Sequence, residues 1–220
     1  MLQHVYERAA QARYLTNLVI ATDDKEIFNA ARAFGALVRM TRSDHSSGTD
    51  RVAEIASTDN ADLIVNIQGD EPLIDPATID AAVLSLLDET GPPMGTLKKR
   101  IEVRSEIDNP NVVKVVTDHA GDALYFSRCP IPYIRDGDRA HGQFGYFKHI
   151  GLYIYRRDFL LRYSDLPVGP LETVERLEQL RALENGYRIR VVETEYDSLG
   201  VDTPEDLERV SSLFEASILR

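Results

Sequence analysis

Short apolar runs bounded by glycine and polar turns alternate along the chain with segments in which apolar residues recur every three or four positions. That alternation is the signature of a sheet wrapped by helices. It predicts helices over 2–12, 23–34, about 50–56, 76–87, 171–185 and 204–213. It predicts strands over 18–21, 36–40, 63–67 and 189–192. Asp23 and Asp24 open the second helix at the end that favours negative charge, and Gly35 stops it. Pro76 stands near the start of another, where its missing N–H does no harm.

Beyond residue 94 the pattern changes. Residues 112–116 and 123–127 flank a six-residue polar turn and read as an antiparallel hairpin, and the alternating stretch 146–155 (YFKHIGLYIY) reads as a longer strand. The expectation is one α/β domain over 1–220, a mostly parallel Rossmann-like sheet with an antiparallel insertion at about 112–155. The chain opens inside a helix, whereas a sheet of this type normally opens with a strand and a phosphate-binding turn.

Composition narrows the function. The 220 residues carry 25 Lys+Arg against 36 Asp+Glu, a formal charge of −11, with no basic run. This disfavours a protein that tracks nucleic-acid backbones, because phosphate neutralisation needs clustered cations, and no nucleic-acid partner is expected. No apolar stretch approaches the roughly 18 residues of a membrane span, and 1–12 lacks the pattern of an export signal, so a cytoplasmic location without membrane contact is expected. Cys129 is the one cysteine, which rules out an intrachain disulfide and a cysteine-based zinc cluster.

Three segments could carry chemistry. Gln68-Gly69-Asp70-Glu71-Pro72 follows an apolar strand, and in open α/β sheets ligands gather beyond the carboxyl ends of strands. A plain turn in which Asp70 bonds its own backbone is equally open. In Gly200-Val201-Asp202-Thr203-Pro204-Glu205-Asp206, Pro204 suits the first helical position, Thr203 is the natural N-cap, and Asp206 closes something near a capping box. Asp202 is thereby left over. Two converging carboxylates make a hard oxygen site suited to Mg2+, which favours one or two carboxylates plus waters and substrate phosphates. His45-Ser46-Ser47-Gly48-Thr49-Asp50-Arg51 precedes a helix and offers N–H groups to an anion or a base edge, although ordinary capping uses the same residues. The five histidines show no metal-ligand spacing. His149 can be a surface residue of its strand, and Arg128 either a solvated charge or a carboxylate clamp.

Taken together, ATDDKEI, FGALVRMTRSDHSSGTDRVAEIA, LIVNIQGDEPLIDP, NPNVVKVVTD, ALYFSRCPIPYIRD, KHIGLYIYRRDFLLRY, PLETVERLEQLRALENGYRI and GVDTPEDLERV resemble one family, the 3-deoxy-manno-octulosonate cytidylyltransferases, or CMP-Kdo synthetases. The resemblance runs in order from about residue 19 to 210. It implies a nucleotidyltransferase sheet and transfer of CMP from CTP to the anomeric hydroxyl of 3-deoxy-manno-octulosonate (Kdo). The products are CMP-Kdo and pyrophosphate, with Mg2+ as cofactor, for lipopolysaccharide synthesis. It implies that Asp70 and Asp202 are catalytic and hold the metal. Ser47, Gly48, Thr49, Arg51 and Gln68 would contact the nucleotide, and Arg128, His149, Glu178 and Gln179 would face the sugar acid. It also implies a homodimer joined partly through the antiparallel ribbon.

Family members open with a strand and a small, basic loop containing a Gly-Lys step that wraps the triphosphate, and this sequence begins downstream of that point. The expectation is therefore a native start upstream of Met1. Two other readings of the same residues are a non-catalytic binding or dimerisation module and a cytidylyltransferase for another acidic sugar such as sialic acid. The KHIGLYIY and LETVERLEQLR segments favour Kdo.

Overall fold

The computed structural model describes residues 1–135, 145–197, 199–201 and 203–218. Helices α1 (Leu2–Ala9), α2 (Lys25–Ala33), α3 (Gly48–Ser57) and α4 (Pro76–Leu84) alternate with strands β1 (Ile20–Thr22), β2 (Val38–Met40) and β3 (Leu63–Asn66). Then follow β4 (Met94–Arg100), α5 (Arg104–Asp108), β5 (Lys114–Thr117), β6 (Ala123–Ser127) and β7 (Phe147–Arg156). The chain continues with α6 (Arg157–Tyr163), α7 (Pro170–Glu175), α8 (Leu180–Glu184), β8 (Ile189–Glu193) and α9 (Pro204–Ile218). Among the described residues no helix is long and apolar enough to cross a membrane.

The starts of α2, α3 and α4 carry side-chain caps, and α2 begins after Asp24 rather than at the expected Asp23. The Asp24 carboxylate accepts from the N–H of Glu26 and Ile27, Ser47 Oγ from Asp50, and the Asp75 carboxylate from Ala77 ahead of Pro76. Gly35 ends the α2 segment at φ +82°, a conformation that favours glycine.

The α/β class holds, and the sheet is mixed. β1 and β2 pair in parallel as a two-stranded unit, while β3, β4, β5, β6, β7 and β8 form a second sheet. There β4 runs parallel to β8, and β7 runs antiparallel to β3, β4 and β5. The hairpin β5–β6 lies at one edge, turning through Gly121 at φ +82°, where the Asp118 N–H donates to the Asp122 carbonyl. β7, grouped with that insertion in the sequence, is the strand on which the larger sheet is assembled.

β7 has period-2 burial. Ile150, Leu152 and Ile154 join Val5, Ala9, Ile79 and Leu86 in a core beneath α1 and α4. On the opposite face Tyr155 joins Phe126, Phe159, Leu160, Tyr163 and Leu180 beneath α6 and α8. The sheet is thus covered on both sides, the three-layer solution for helices on an α/β sheet. β1 pairs only with β2, and β3 only with β7, among the described residues. The two strands line a common groove of about 320 Å³ with Leu18, Val52 and Ile55.

The expected helix 171–185 is broken. α7 ends at Arg176, whose φ of 52° is the left-handed region, and α8 begins only at Leu180. The strand β4 carries no clear apolar signal in its sequence, MGTLKKR, yet it lies between β7 and β8.

Gly95 in β4 is a place of close approach. A Cβ there would stand 2.8 Å from Ile154 Cγ2, 3.3 Å from Ser85 Oγ and 3.4 Å from Leu86 Cγ. Because Ile154 is buried and β-branched it cannot step aside. Gly95→Ala is expected to destabilise the fold by about 1–3 kcal/mol in denaturant titrations; a loss below about 0.5 kcal/mol would show that α4 yields instead.

Candidate active site

The first component is the loop after β3. Asp70 is half-buried and Gln68 and Gly69 are exposed. The Asp70 carbonyl accepts the Val201 N–H at 3.0 Å, and a Cβ on Gly200 would stand 3.9 Å from Asp70 Oδ2. Residues 68–72 and 200–201 are therefore held together. Thr203 and Asp206 form the reciprocal cap, with the Thr203 N–H donating to Asp206 Oδ2 at 3.0 Å and the Asp206 N–H to Thr203 Oγ1 at 3.2 Å. The cap thus needs nothing from Asp202, which lies outside the described residues. The buried Glu71 steadies the loop by accepting from the Tyr196 hydroxyl at 3.4 Å. Among the described residues the Asp70 carboxylate has no hydrogen bond or ion pair, and no group of three or more His, Cys, Asp or Glu could hold a metal. A cation at Asp70 fits the other donor set, one or two carboxylates completed by water and phosphate oxygens.

The second component is the start of α3. Ser47 caps it and also reaches Glu178 Oε1 at 3.4 Å. Gly48 has open space where a side chain would lie. Thr49 is buried, and its hydroxyl opposes the upward shift that burial gives the Glu178 carboxyl and the Tyr155 phenol. His45 pairs with Glu54 and holds that carboxyl below its usual range. Arg51 points elsewhere: its Nη1 donates to Thr41 Oγ1 at 2.6 Å and pairs with Asp23 Oδ1 at 3.0 Å, tying α3 to the ends of β1 and β2.

The third component is the break at Arg176. Arg128 donates from Nε to the Glu175 carbonyl at 2.7 Å, from Nη1 to the Pro110 carbonyl at 2.9 Å, and from Nη2 to the Arg176 carbonyl at 3.3 Å. Glu175 in turn accepts from Ser127 Oγ at 2.7 Å and the Arg128 N–H at 3.0 Å. The left-handed residue, a conformation costing about 1–3 kcal/mol off glycine, is thereby over-determined by β6. Its consequence is that Leu177–Gln179 turn inward rather than continuing a helix. Gln179 is 3% exposed and its Nε2 has no partner, a buried donor available to an oxygen acceptor. Burial pushes the Glu178 carboxyl above its usual range, against the opposing pull of the Thr49 hydrogen bond and Arg181.

The fourth component is one face of β7. Residues 149, 153 and 155 share a side by alternation. The His149 ring meets Phe126 edge-on at 5.1 Å and lies tilted 5.3 Å from Tyr153, and Tyr153 lies 6.1 Å from Tyr155. Asn66, at the end of β3, is opposite Tyr153 in the ladder. Burial lowers the His149 imidazole to about 3 and raises the Tyr153 and Tyr155 phenols well above their ordinary value.

The structure thus joins Ser47 to Glu178 by direct contact, and lines His149, Tyr153 and Tyr155 up ring by ring along one face of β7. A cleft of about 970 Å³ is lined by His45, Ser47, Asp50, Arg176, Glu178 and Arg181. Asp70 stands on the loop that follows β3, the strand beside β7. Arg51 and Arg128 act on backbone and neighbouring side chains, and Gln68 stands at the surface. Sequence reading overlooked Thr96, Tyr153, Tyr155 and Glu175. The alternation of YFKHIGLYIY already placed both tyrosines on the face of His149.

The raised Glu178 pKa means that the folded chain binds this proton more tightly than the unfolded chain. Its favourable contribution is present below about 4.5 and is lost as pH rises, so the ionised carboxylate is a burden at neutrality. Glu178→Gln is expected to raise the melting temperature at pH 7 by on the order of 2–4 °C, with the gain shrinking towards pH 4. A gain that is flat with pH, or a loss, would contradict this.

A family model described as cytidylyltransferase matches residues 1–189. A 3-deoxy-manno-octulosonate cytidylyltransferase of Solibacter usitatus is 74% identical over 220 residues, covering 100% of this chain and 86% of its own. The protein of that name from Geobacter sulfurreducens is 56% identical, covering 96% of this chain and 87% of its own. A solved CMP:2-keto-3-deoxy-manno-octonic acid synthetase in complex with CTP superposes with a TM-score of 0.92 at 43% identity, over 98% of this chain and 88% of the other. A 4-diphosphocytidyl-2C-methyl-D-erythritol synthase from Anaerococcus prevotii, 11% identical with a TM-score of 0.62, covering 97% of this chain and 88% of its own, shares the fold. With two loops meeting at Asp70, a capped helix touching Glu178 and relatives matching along its whole length, this chain belongs to the cytidylyltransferase family, among the 3-deoxy-manno-octulosonate cytidylyltransferases.

Proposed function

We propose that the chain couples CTP to Kdo. The anomeric hydroxyl oxygen bonds to the α-phosphorus, the bond to the β-phosphate oxygen breaks, and CMP-Kdo and pyrophosphate leave. The observation that carries this reading is the junction of residues 68–72 with 200–201, adjoining the strand whose face presents His149. Attack by an alcohol on a charged phosphate needs in-line positioning and charge compensation more than covalent help.

Asp70 and Asp202 would hold Mg2+, which when bound supplies positive charge to the triphosphate oxygens. Ser47, Gly48 and Thr49 would contact the nucleotide with Gln68, and Arg51 supports that segment by fixing α3. His149, Glu178 and Gln179 would face Kdo. Arg128 serves them by holding the turn at Arg176 in place. Because Ser47 reaches Glu178, the nucleotide-facing and sugar-facing groups are neighbours from the start. Two copies would pair through the side that carries the β5–β6 ribbon, where Leu124 is 62% and Tyr133 88% exposed.

The test is pyrophosphate release. It should require CTP, Kdo and Mg2+ together, and Asp70→Asn should lower it by about 100-fold or more while leaving the melting temperature within a few degrees, since several kcal/mol of charge compensation would be lost. Equal turnover with sialic acid in place of Kdo, or full activity in the variant, would overturn the reading.

A further inference from the structure

A hydroxyl hidden inside the sheet determines which nitrogen of His149 is free. Thr96 is 0% exposed. The ladder between β4 and β7 jumps there, from Thr96 opposite Tyr153 to Leu97 opposite Ile150, so two residues of β7, Gly151 and Leu152, are passed over. Thr96 Oγ1 sits in that irregularity, 2.8 Å from the Leu152 carbonyl, 3.1 Å from the Ile150 carbonyl and 2.9 Å from His149 Nε2.

A threonine hydroxyl has one proton and two lone pairs, and a carbonyl oxygen can only accept. The proton must therefore go to the carbonyls. Were it given to His149, both carbonyl oxygens would face a bare oxygen inside the protein, a desolvation cost without return. With the proton committed to the backbone, the contact at 2.9 Å is satisfied only if Nε2 carries hydrogen and donates it to Oγ1.

We infer that Thr96 is a positioning residue, fixing His149 as its Nε2–H tautomer so that Nδ1 is presented as a hydrogen-bond acceptor to a hydroxyl of the sugar acid. The reading rests on the Kdo site proposed above and refines it. Among the described residues Nδ1 has no hydrogen-bond partner. It faces away from Thr96, on the other side of a ring wedged between Phe126 and Tyr153. A neutral ring with a bare Nδ1 repels a carboxylate and accepts from an alcohol. Burial keeps the ring neutral well below physiological pH, which agrees with the hydrogen-bond arithmetic. His149 therefore selects for a polyhydroxylated acid through its hydroxyls, and the carboxylate must be recognised elsewhere, for which the unpaired Nε2 of Gln179 offers a donor. The passed-over pair Gly151–Leu152 acquires a purpose, since it opens the ladder for a side-chain oxygen to reach an imidazole from the sheet side.

Nitrogen-15 NMR of the histidine rings in the full chain, with His149→Gln to assign the signal, reads the tautomer directly. The wild type should show neutral Nε2–H at pH 7, unchanged on going to pH 5. Thr96→Val should shift the ring away from that tautomer and raise KM for Kdo by about fivefold to tenfold, the fold-change of one neutral hydrogen bond. KM for CTP should not change, and Thr96→Ser should restore both readouts. A protonated Nδ1 in the wild type, or a Thr96→Val protein with the wild-type ring signal and Kdo dependence, would overturn the inference. If Thr96→Val does not fold, the wild-type signal and Thr96→Ser still decide it. If the ring signals follow expectation and neither protein uses Kdo, the tautomer assignment stands and the proposed substrate falls.

Discussion

The ten-residue strand β7 constrains everything else. It is hydrogen-bonded to β3 and β5 along one edge, and to β4 over nearly its whole length along the other. Its even-numbered side chains from 150 to 154 close one core, and Tyr155 helps close the other. A side chain on such a strand cannot relocate without slipping the register, which would send every residue to the wrong face. His149 and Tyr153 are therefore fixed by the packing of Ile150, Leu152 and Ile154 behind them. Rigidity of the site is a by-product of burial on both sides.

The same burial sets the chemistry of the polar groups near it. Glu178 is held partly out of water and loses part of its preference for ionisation, while His149 loses its ability to charge. In water both would be ordinary. Here one becomes a carboxyl that gains from any partner able to compensate its charge, and the other an imidazole confined to hydrogen bonding. Folding bears the cost of both, and a ligand that supplies the missing partner recovers it. Groups that depress stability alone and gain on binding are what a preorganised site requires.

Much of this was legible in the sequence because the signals were local. The caps at Ser47 and Thr203, the hairpin at Gly121, the alternation of 146–155 and the acid loop after β3 each depend on residues close by in the chain. What was not legible depends on distance. β4 reads as polar because Lys98 and Lys99 sit on it, yet Lys98 lies 4.3 Å over the Phe147 ring and donates to Thr117, and Lys99 reaches the Glu195 carbonyl. Their aliphatic stems cover the sheet while their charges find partners. The antiparallel insertion of β7 between β3 and β4 likewise has no local sign, since direction is set by a connection, not by composition. The expected convergence of Asp202 on Asp70 lies outside the described residues; the neighbouring Val201 N–H donates to the Asp70 carbonyl.

Helix 171–185 teaches the sharpest lesson about distance. Its periodicity is real, and local propensity alone favours a continuous helix. The break is imposed by Arg128, whose planar fork takes the carbonyls of Glu175 and Arg176 from 47 and 48 residues away. An arginine next to a suspected anion site invites the reading of a ligand contact. Five donors in a fixed plane are equally suited to the carbonyls that a helix leaves unpaired where it stops. Arg51 behaves alike, bridging Thr41 and Asp23. Both arginines hold the segments that carry Thr49, Glu178 and Gln179. A lysine at 128 would keep the charge but lose the fork, and with it the planar set of bonds that keeps Arg176 left-handed and Gln179 turned inward.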